Sequence, residues 1–516
     1  MEIFRYLRKQ RKLQSQIVPF EAMEGDPPKE SPQLSNNLAE NLDYLKQNIP
    51  NSPDLMFRTL RLGEDRQEEA VLVYNDGMVD KNSLNNNVIR PLIETGSLDI
   101  LQCVSIANIK LSSSWDEIED RLYRGFTLLI VDRSSMAYLF ETQGWPQRAI
   151  EEPQSETSIN GAHQGFSEIA TQNIALIRRH LPNKQLQMSK VNVGIRGKTE
   201  ISVLYLADVC HPSFIHEFLE RIRRIEIDSI INTGELAECI EDHPYSPLPQ
   251  FQLTERPDNV ASHLLQGRIA AVVDCSPNVL ISPMTFFSYF QTLDDYSSRW
   301  YVSSFIRLLR FIGFLISILL PALYISALSF HYELIPLEMI ITIGESRYKV
   351  AFPPLLEALM MELALEMIRE AGIRLPAPIG QTVGIVGGIV IGQAAVEAGI
   401  VSNIMVIVVS LTAIASFIIP SKEMGAAIRL IQFPMMLMAA MFGMIGISIG
   451  IMSLIGYMVS MKSLGTPYMT PLAPFRLWDW RDLLIRLPIW RMDFRPQSNK
   501  PMQKRRQGNI RHKEDN

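Results

Sequence analysis

The sequence predicts a mixed α+β and α-helical membrane protein. A two-lobed α/β soluble N-terminal region leads into a helical transmembrane bundle of about four spans plus an acidic amphipathic helix. Three observations predict it. From Met1 to Arg310 charges are frequent and no apolar run approaches spanning length. From Phe311 to Ser460 the runs are long, apolar and rich in Ile, Met, Gly and Ala, with charges confined to short islands. A hydrocarbon core of roughly 30 Å needs about 20 such residues in helix. Finally, the first half carries one short glycine-to-aspartate pattern twice. At 516 residues two or three domains are expected, and the averages of 47% hydrophobic, 20% charged and net charge −6 conceal the asymmetry between the halves.

The first 33 residues read as a flexible leader. MEIFRYLRKQRKLQ is basic and amphipathic, without the apolar core or small-residue cleavage site of a signal peptide, and EAMEGDPPKESPQ is rich in Pro, Glu and Ser. The soluble region is therefore expected on the cytoplasmic side, with the first span as an uncleaved anchor. Four cysteines, Cys103, Cys210, Cys239 and Cys275, show no CxxC pair and read as free thiols in a reducing compartment.

Lobe 1 is placed at residues 34–183. It opens with a helix capped by Ser35 and carrying Leu38, Leu42 and Leu45 at helical spacing. Ala70–Tyr74 is a strand ending in the turn signal Asn75-Asp76-Gly77, and Thr127–Val131 is a second, buried strand. Lobe 2, residues 184–300, contains the strands Ile269–Val273 and Val279–Ile281. Gly125 precedes Asp132 by seven residues, and Gly267 precedes Asp274 by seven, each across an apolar strand. Both read as strand-turn-strand units with Asp opening the turn, chance similarity of two hairpins being the alternative. The lobe boundary is set at Pro182-Asn183-Lys184, after the basic end Arg178-Arg179-His180.

The membrane domain is placed at residues 301–460. Its spans are Phe311–Phe330, with Pro321 as a kink that packing can tolerate; Gly380–Ile400, broken by Glu397; Asn403–Ile419; and Ile431–Ser460, long enough to tilt or to contain a break. Leu355–Ile373 is apolar but carries Glu357, Glu362, Glu366, Arg369 and Glu370. Residues 461–516 form a basic tail, with twelve Lys and Arg against five Asp and Glu from Lys462 onward. Positive-inside bias puts both ends in the cytoplasm and requires an even number of crossings. Four is the expected count, with the acidic helix interfacial, re-entrant or buried in an assembly.

No catalytic, cofactor-binding or metal-ligating motif stands out. GxxxxGK[ST], HExxH and GxSxG are absent, and the eight histidines are scattered. The chain is therefore not expected to be an enzyme, nor to need a cofactor. Three features remain. Glu362, Glu366 and Glu370 are spaced by four and form one helical stripe beside Arg369. Carboxylates at membrane depth are costly, so the stripe lines a cation path or vestibule, lies at the headgroup level, or pairs with Arg369 or Arg374. Gly380, Gly384, Gly388 and Gly392 recur every four residues, a face suited to close helix packing, or else to a gating pivot. IEEPQSE, with Glu152, Gln154 and Glu156, is a solvated connector or a ligand- or partner-contacting loop. Lys504-Arg505-Arg506 fits anionic membrane lipid better than nucleic acid.

The strings IEEPQSE, IDSIINTGELAECIED, SPLPQFQLTERPDNVASHLLQGR, LDDY, LPALYISALSFHYELIP, EMIREAGIRLPAPIGQTVGIVGGIVIGQAAVEAGIVS and TPYMTPLAP together resemble the A-subunit family of spore germinant receptors, the GerA type, which also includes SpoVAF. The resemblance runs from about Leu38 to Pro474. It implies a multi-pass subunit of the bacterial endospore inner membrane, with both termini on the core side. It also implies a transporter-like B subunit and a lipoprotein C subunit as partners, and a homo-oligomer that forms or gates a cation channel in response to small nutrients. A non-conducting scaffold that assembles receptor complexes is the alternative. The loop Asn160–Phe166 departs from the family's arginine- and proline-bearing pattern, so no role is carried over to it.

Overall fold

The computed structural model describes residues 32–49, 52–63, 68–95, 99–144, 156, 161, 163–376, 388, 390 and 392–508. It divides into two compact units. The first is Met1–Glu241 with Phe251–Pro283 and Pro488–Asn516; the second is Asp242–Gln250 with Met284–Leu487.

The first unit contains two five-stranded antiparallel sheets. One is built from β1 (Leu55–Leu62), β2 (Glu68–Asn75), β3 (Ile109–Ser112), β4 (Thr127–Val131) and β5 (Ala137–Phe140), in the order β1-β2-β4-β5-β3. The other is built from β6 (Leu186–Val193), β7 (Thr199–Leu206), β8 (Gln252–Thr254), β9 (Ile269–Val273) and β10 (Val279–Ser282), in the order β6-β7-β9-β10-β8. Element for element the two orders are the same. The central strands β4 and β9 are buried throughout, which explains their unbroken apolar runs. Helices α1 (Leu38–Asn48) and α2 (Trp115–Tyr123) belong to the first lobe. Four more, α3 (Ala170–His180), α4 (Pro212–Arg223), α5 (Thr233–Ile240) and α6 (Pro257–Leu264), belong to the second.

The repeated Gly-to-Asp pattern occupies one place in both lobes. Asp132 Oδ1 accepts the Leu38 N–H at 3.2 Å, and Asp274 Oδ1 accepts the Ala170 N–H at 3.2 Å, each satisfying an orphan donor at the start of its lobe's first helix. Ser35 and Asn41 exchange two hydrogen bonds, as do Ser167 and Asn173. The helix cap itself is Asn37, whose side chain accepts the Ala39 N–H, and not Ser35. This pairing also moves the lobe boundary. Helix α3 packs on α6 and β9, so the second lobe opens near Ser167, ahead of residue 183. Pro182-Asn183-Lys184, read as a domain boundary, is the turn from α3 into β6.

The second unit is helical: α7 (Trp300–Ser329), α8 (Leu337–Arg347), α9 (Pro354–Arg374), α10 (Asn403–Phe417) and α11 (Lys422–Ser460). Among the described residues α7 and α11 are long and apolar enough to cross a membrane, and α10 is apolar but shorter. Residues 380–387, 389 and 391 of Gly380–Ile400 lie outside the described residues. Helix α7 begins three turns before Phe311, because Arg307 and Arg310 turn into a buried polar cluster and do not end the helix. Tyr324 bonds Ser402 at 3.0 Å, and a Cβ on Gly313 would lie 3.1 Å from the Ala415 carbonyl. Helix α10 therefore runs antiparallel to α7.

Helix α11 is broken at Gly443, whose φ of 60° and ψ of −137° only glycine adopts without strain. The chain turns back there. Gly446 abuts the Met438 carbonyl and Gly450 abuts the Met435 thioether, so the arms 422–442 and 444–460 form a helical hairpin. Its tip packs against Phe330 and His331, just past the end of α7.

The segment after Ser460, read from the sequence as a basic tail, is folded as far as Gly508. Lys462–Ser463 pairs with Thr466–Pro467, Phe286 N–H donates to Tyr468 O, and Met284 N–H donates to Ser463 Oγ. In the tail's basic cluster, Arg506 N–H donates to Asp493 O and the Lys504 carbonyl accepts from Arg495.

Candidate functional site

Helix α9 starts at tandem prolines, with Pro354 pre-set for the first turn, and continues through good helix formers. Its carboxylates occupy different environments. Glu357 is fully buried: Arg347 Nη2 lies 3.1 Å from Oε1, and Oε2 accepts the Ser402 N–H at 3.1 Å, at the start of α10. A carboxylate there is favoured by the helix dipole, and Ser402 Oγ also accepts the Met405 N–H. A cavity of about 480 Å³ lies beside this pair, lined mainly by Leu328, Tyr332, Ile340, Ile343, Arg347 and Pro353.

The three stripe residues divide further. Glu370 is exposed and pairs with Arg374 at 2.6 Å on its own helix. Glu366 accepts from Arg369 at 2.8 Å and lies 3.3 Å from Arg429 of α11. Arg369 in turn stacks 4.9 Å above the Phe417 ring. Glu362 has no cation within ion-pair distance among the described residues, and Arg369 attracts it only from farther off. Its Oε1 is buried without a hydrogen bond, beside Gln432 of α11, which is 2% exposed and leaves Nε2 unbonded. An incompletely satisfied carboxyl-amide pair between two helices is a place for a water molecule or a partly dehydrated cation.

Of the glycine face, Gly380 and Gly384 lie outside the described residues. Gly388 faces open space, and a Cβ on Gly392 would meet Val406 Cγ1 at 3.7 Å, ordinary packing against α10. Glu397 accepts from Gln393 at 2.9 Å. Glu152 and Gln154 also lie outside the described residues. Glu156 is described: it accepts from Thr254 Oγ1 at 2.6 Å, on edge strand β8. Burial pushes its carboxyl up to about 7, against the opposing pull of Thr254 and Arg256.

Sequence reasoning missed the strongest polar cluster. Arg307, 1% exposed, donates to Asp295 at 2.8 Å and to Asp482 at 2.6 Å. Arg310 donates to Asp295 at 3.0 Å, Tyr296 donates to Asp482 at 2.5 Å, and Arg486 is buried over the Tyr296 ring. Burial alone would raise the Asp295 carboxyl, but Arg307 and Arg310 outweigh it and hold it below its ordinary value. The available signal was local: Asp295 lies twelve and fifteen residues ahead of an i, i+3 arginine pair at the head of an apolar helix.

The family described as Bacillus/Clostridium GerA spore germination protein matches residues 43–498. Spore germination protein KA of Bacillus subtilis is 40% identical over 93% of this chain and 90% of its own length. Spore germination protein B1 of the same species is 40% identical over 91% of this chain and 98% of its own. GerLA of Bacillus cereus is 36% identical over 90% and 96%. Among solved structures, the N-terminal domain of the A subunit of the Bacillus megaterium spore germinant receptor GerK3 aligns with a TM-score of 0.40 at 29% identity, over 50% of this chain and 99% of that one.

Proposed function

The chain belongs to the GerA family of spore germination proteins, and from that premise we propose that it is the A subunit of a nutrient germinant receptor. In this reading it is a non-catalytic, multi-pass protein of the spore inner membrane. It couples small-nutrient sensing to germination by forming or gating a cation path, as a homo-oligomer with a transporter-like B subunit and a lipoprotein C subunit.

The observation that carries the ion path is Glu362. It is the one stripe carboxylate with no cation within ion-pair distance among the described residues, although Arg369 attracts it from farther off, and its buried Oε1 lies near the unbonded Gln432 Nε2 inside the helical unit. A buried, incompletely satisfied carboxylate among membrane helices is costly unless it serves a polar path.

The topology we propose has six crossings. Glu357 sits by the start of α10 and Arg369 by its end, so α9 and α10 run in the same direction. Two helices that run the same way need one return crossing between Arg374 and Asn403, which raises the expected count of four. With α7 and the two arms of α11 the count is six. Six is even, as the charge bias requires, and keeps both ends on the core side.

Cation flux through the chain reconstituted in liposomes, alone and with its partners, tests the path. Glu362→Gln is expected to change conductance or selectivity, while Glu370→Gln, at an exposed pair, leaves both alone. Unaltered flux in Glu362→Gln removes the role. The second reading, a non-conducting scaffold, is favoured by the pairing of Glu366 and Glu370 with arginines, which neutralises most of the stripe. An assembled complex that passes no ions supports it.

A further inference from the structure

The two lobes of the first unit differ in how one corner is filled. In lobe 1 the chain runs straight on from β5. Gly144 N–H donates to the Met78 carbonyl at 3.0 Å, and Gln143 packs on Gly125, where an added Cβ would meet its Cγ at 3.4 Å. In lobe 2 the chain leaves after β10 for the helical unit, so no such continuation exists. The corner is filled all the same. Met502 N–H donates to the Val209 carbonyl at 2.9 Å, and a Cβ on Gly267 would meet Pro501 Cβ at 3.7 Å. Gly267 and Gly125 are the repeated glycines, at φ 84° and 88°, and Val209 stands where Met78 stands. Pro501 and Met502 thus take, in order, the places of Gln143 and Gly144, from more than two hundred residues downstream.

The surrounding contacts hold the segment there. Arg495, nearly buried, donates to the carbonyls of Leu265 at 2.7 Å, Gln503 at 3.0 Å and Arg505 at 2.5 Å. Asn499, fully buried, donates to Gln266 O at 3.1 Å, and the Lys500 ammonium lies 5.4 Å from the Phe214 ring centroid. The contacts on lobe 2 are largely polar bonds to main-chain carbonyls, a kind of contact that can release without opening the lobe's apolar core.

We propose that residues 494–506 are a latch that completes lobe 2 from beyond the last membrane helix. The lobe keeps its closed corner only while the chain leaving α11 is docked on it. Lobe 2 is thereby held at both ends of the helical unit's chain, by β10 where that unit begins and by the latch where it ends. Releasing the latch uncovers the Val209–Phe214 turn and the Gly267 corner as one accessible surface. Segments with few apolar contacts and main-chain bonds of this kind are the ones that open below the global stability.

Hydrogen exchange on the full-length chain in detergent tests this. Arg495→Ala and Met502→Pro are expected to speed exchange at the Gly267 and Arg268 amides at least tenfold, while Gly125 and Gly144 in lobe 1 keep their rates. Unchanged exchange at Gly267 and Arg268 in both variants overturns the proposal. A second arm adds a labelled peptide of residues 488–508 to the full-length chain. It should bind Met502→Pro at least tenfold more tightly than wild type, because the released latch frees its place on lobe 2, and equal binding to both overturns the proposal.

Discussion

Arg307 Nη1 donates to Asp482 at 2.6 Å, joining the third turn of α7 to the segment that follows α11, and its Nε donates to Asp295 at 2.8 Å. All three side chains belong to one cluster with Arg310, Tyr296 and Arg486. Removing one member of a buried ion pair strands the other charge and typically costs about 3–5 kcal/mol. Arg307→Ala should therefore lower the thermal unfolding midpoint of the detergent-solubilised chain markedly. Arg299→Ala, at an exposed neighbour, should leave it within a degree or two. A midpoint equal to wild type in Arg307→Ala would show that the cluster contributes nothing net.

The two lobes of the first unit are clamped by Arg178 and Asp54. Arg178 Nη2 donates to Asp54 Oδ1 at 2.9 Å, Nε bonds Oδ2, and the guanidinium is 1% exposed. Arg178 lies on α3 of lobe 2 and Asp54 just ahead of β1 in lobe 1. Bidentate geometry makes Arg to Lys a poor replacement here. In a double-mutant cycle with Asp54→Asn and Arg178→Met, the pair is expected to show a coupling of more than about 1 kcal/mol. Additive losses would mean that the two side chains act independently.

What the sequence revealed depended on how local the physics was. The central strands β4 and β9, the amphipathic α1, the acidic helix and the Gly-to-Asp repeat all show in local spacing, and each lies where its pattern put it. The lobe boundary was misplaced because Arg178, Arg179 and His180 look like a solvated helix end, whereas Arg178 is buried against a partner 124 residues earlier. The Arg307–Asp482 bond and the docking of Met502 on Val209 pair residues far apart in the chain, which periodicity cannot detect. Glu362, Glu366 and Glu370 were legible as a stripe. Their division into one open and two paired carboxylates was not, because Arg429 and Gln432 come from another helix.

Glu156 is expected to make the stability of the first unit depend on pH. Its folded-state carboxyl, near 7, lies above the ordinary value of 4.5, so the folded state holds its proton more tightly than the unfolded state does. The contribution is fully present below about 4.5, declines as pH rises through 7, and is flat beyond. The slope in that window is at most about 1.4 kcal/mol per pH unit. Glu156→Gln, a mimic of the neutral form, should flatten this part of the profile and raise the unfolding midpoint at pH 7.5. A variant that keeps the wild-type slope between pH 5 and 7 would place the proton elsewhere.

The hairpin in α11 gives the sharpest structural test. A continuous helix would hold residues 435 and 450 about 22 Å apart, at 1.5 Å per residue. With the chain reversed at Gly443, Gly450 instead meets the Met435 side chain. Met435→Cys with Gly450→Cys should therefore form an intramolecular disulfide on mild oxidation, identifiable by mass spectrometry of the linked peptides. A straight helix cannot form it. Single glycine changes at the packed and open positions of the hairpin should differ in sign. Gly456 opens onto free space, so Gly456→Ala gains helix propensity of about 1 kcal/mol and should be neutral or stabilising. Gly446 abuts the Met438 carbonyl, so a methyl group there must spread the two arms. The cost of such overpacking, about 1–3 kcal/mol, exceeds the propensity gain. Gly446→Ala should thus lower the unfolding midpoint while Gly456→Ala does not, and equal effects would mean that the arms are not packed at Gly446.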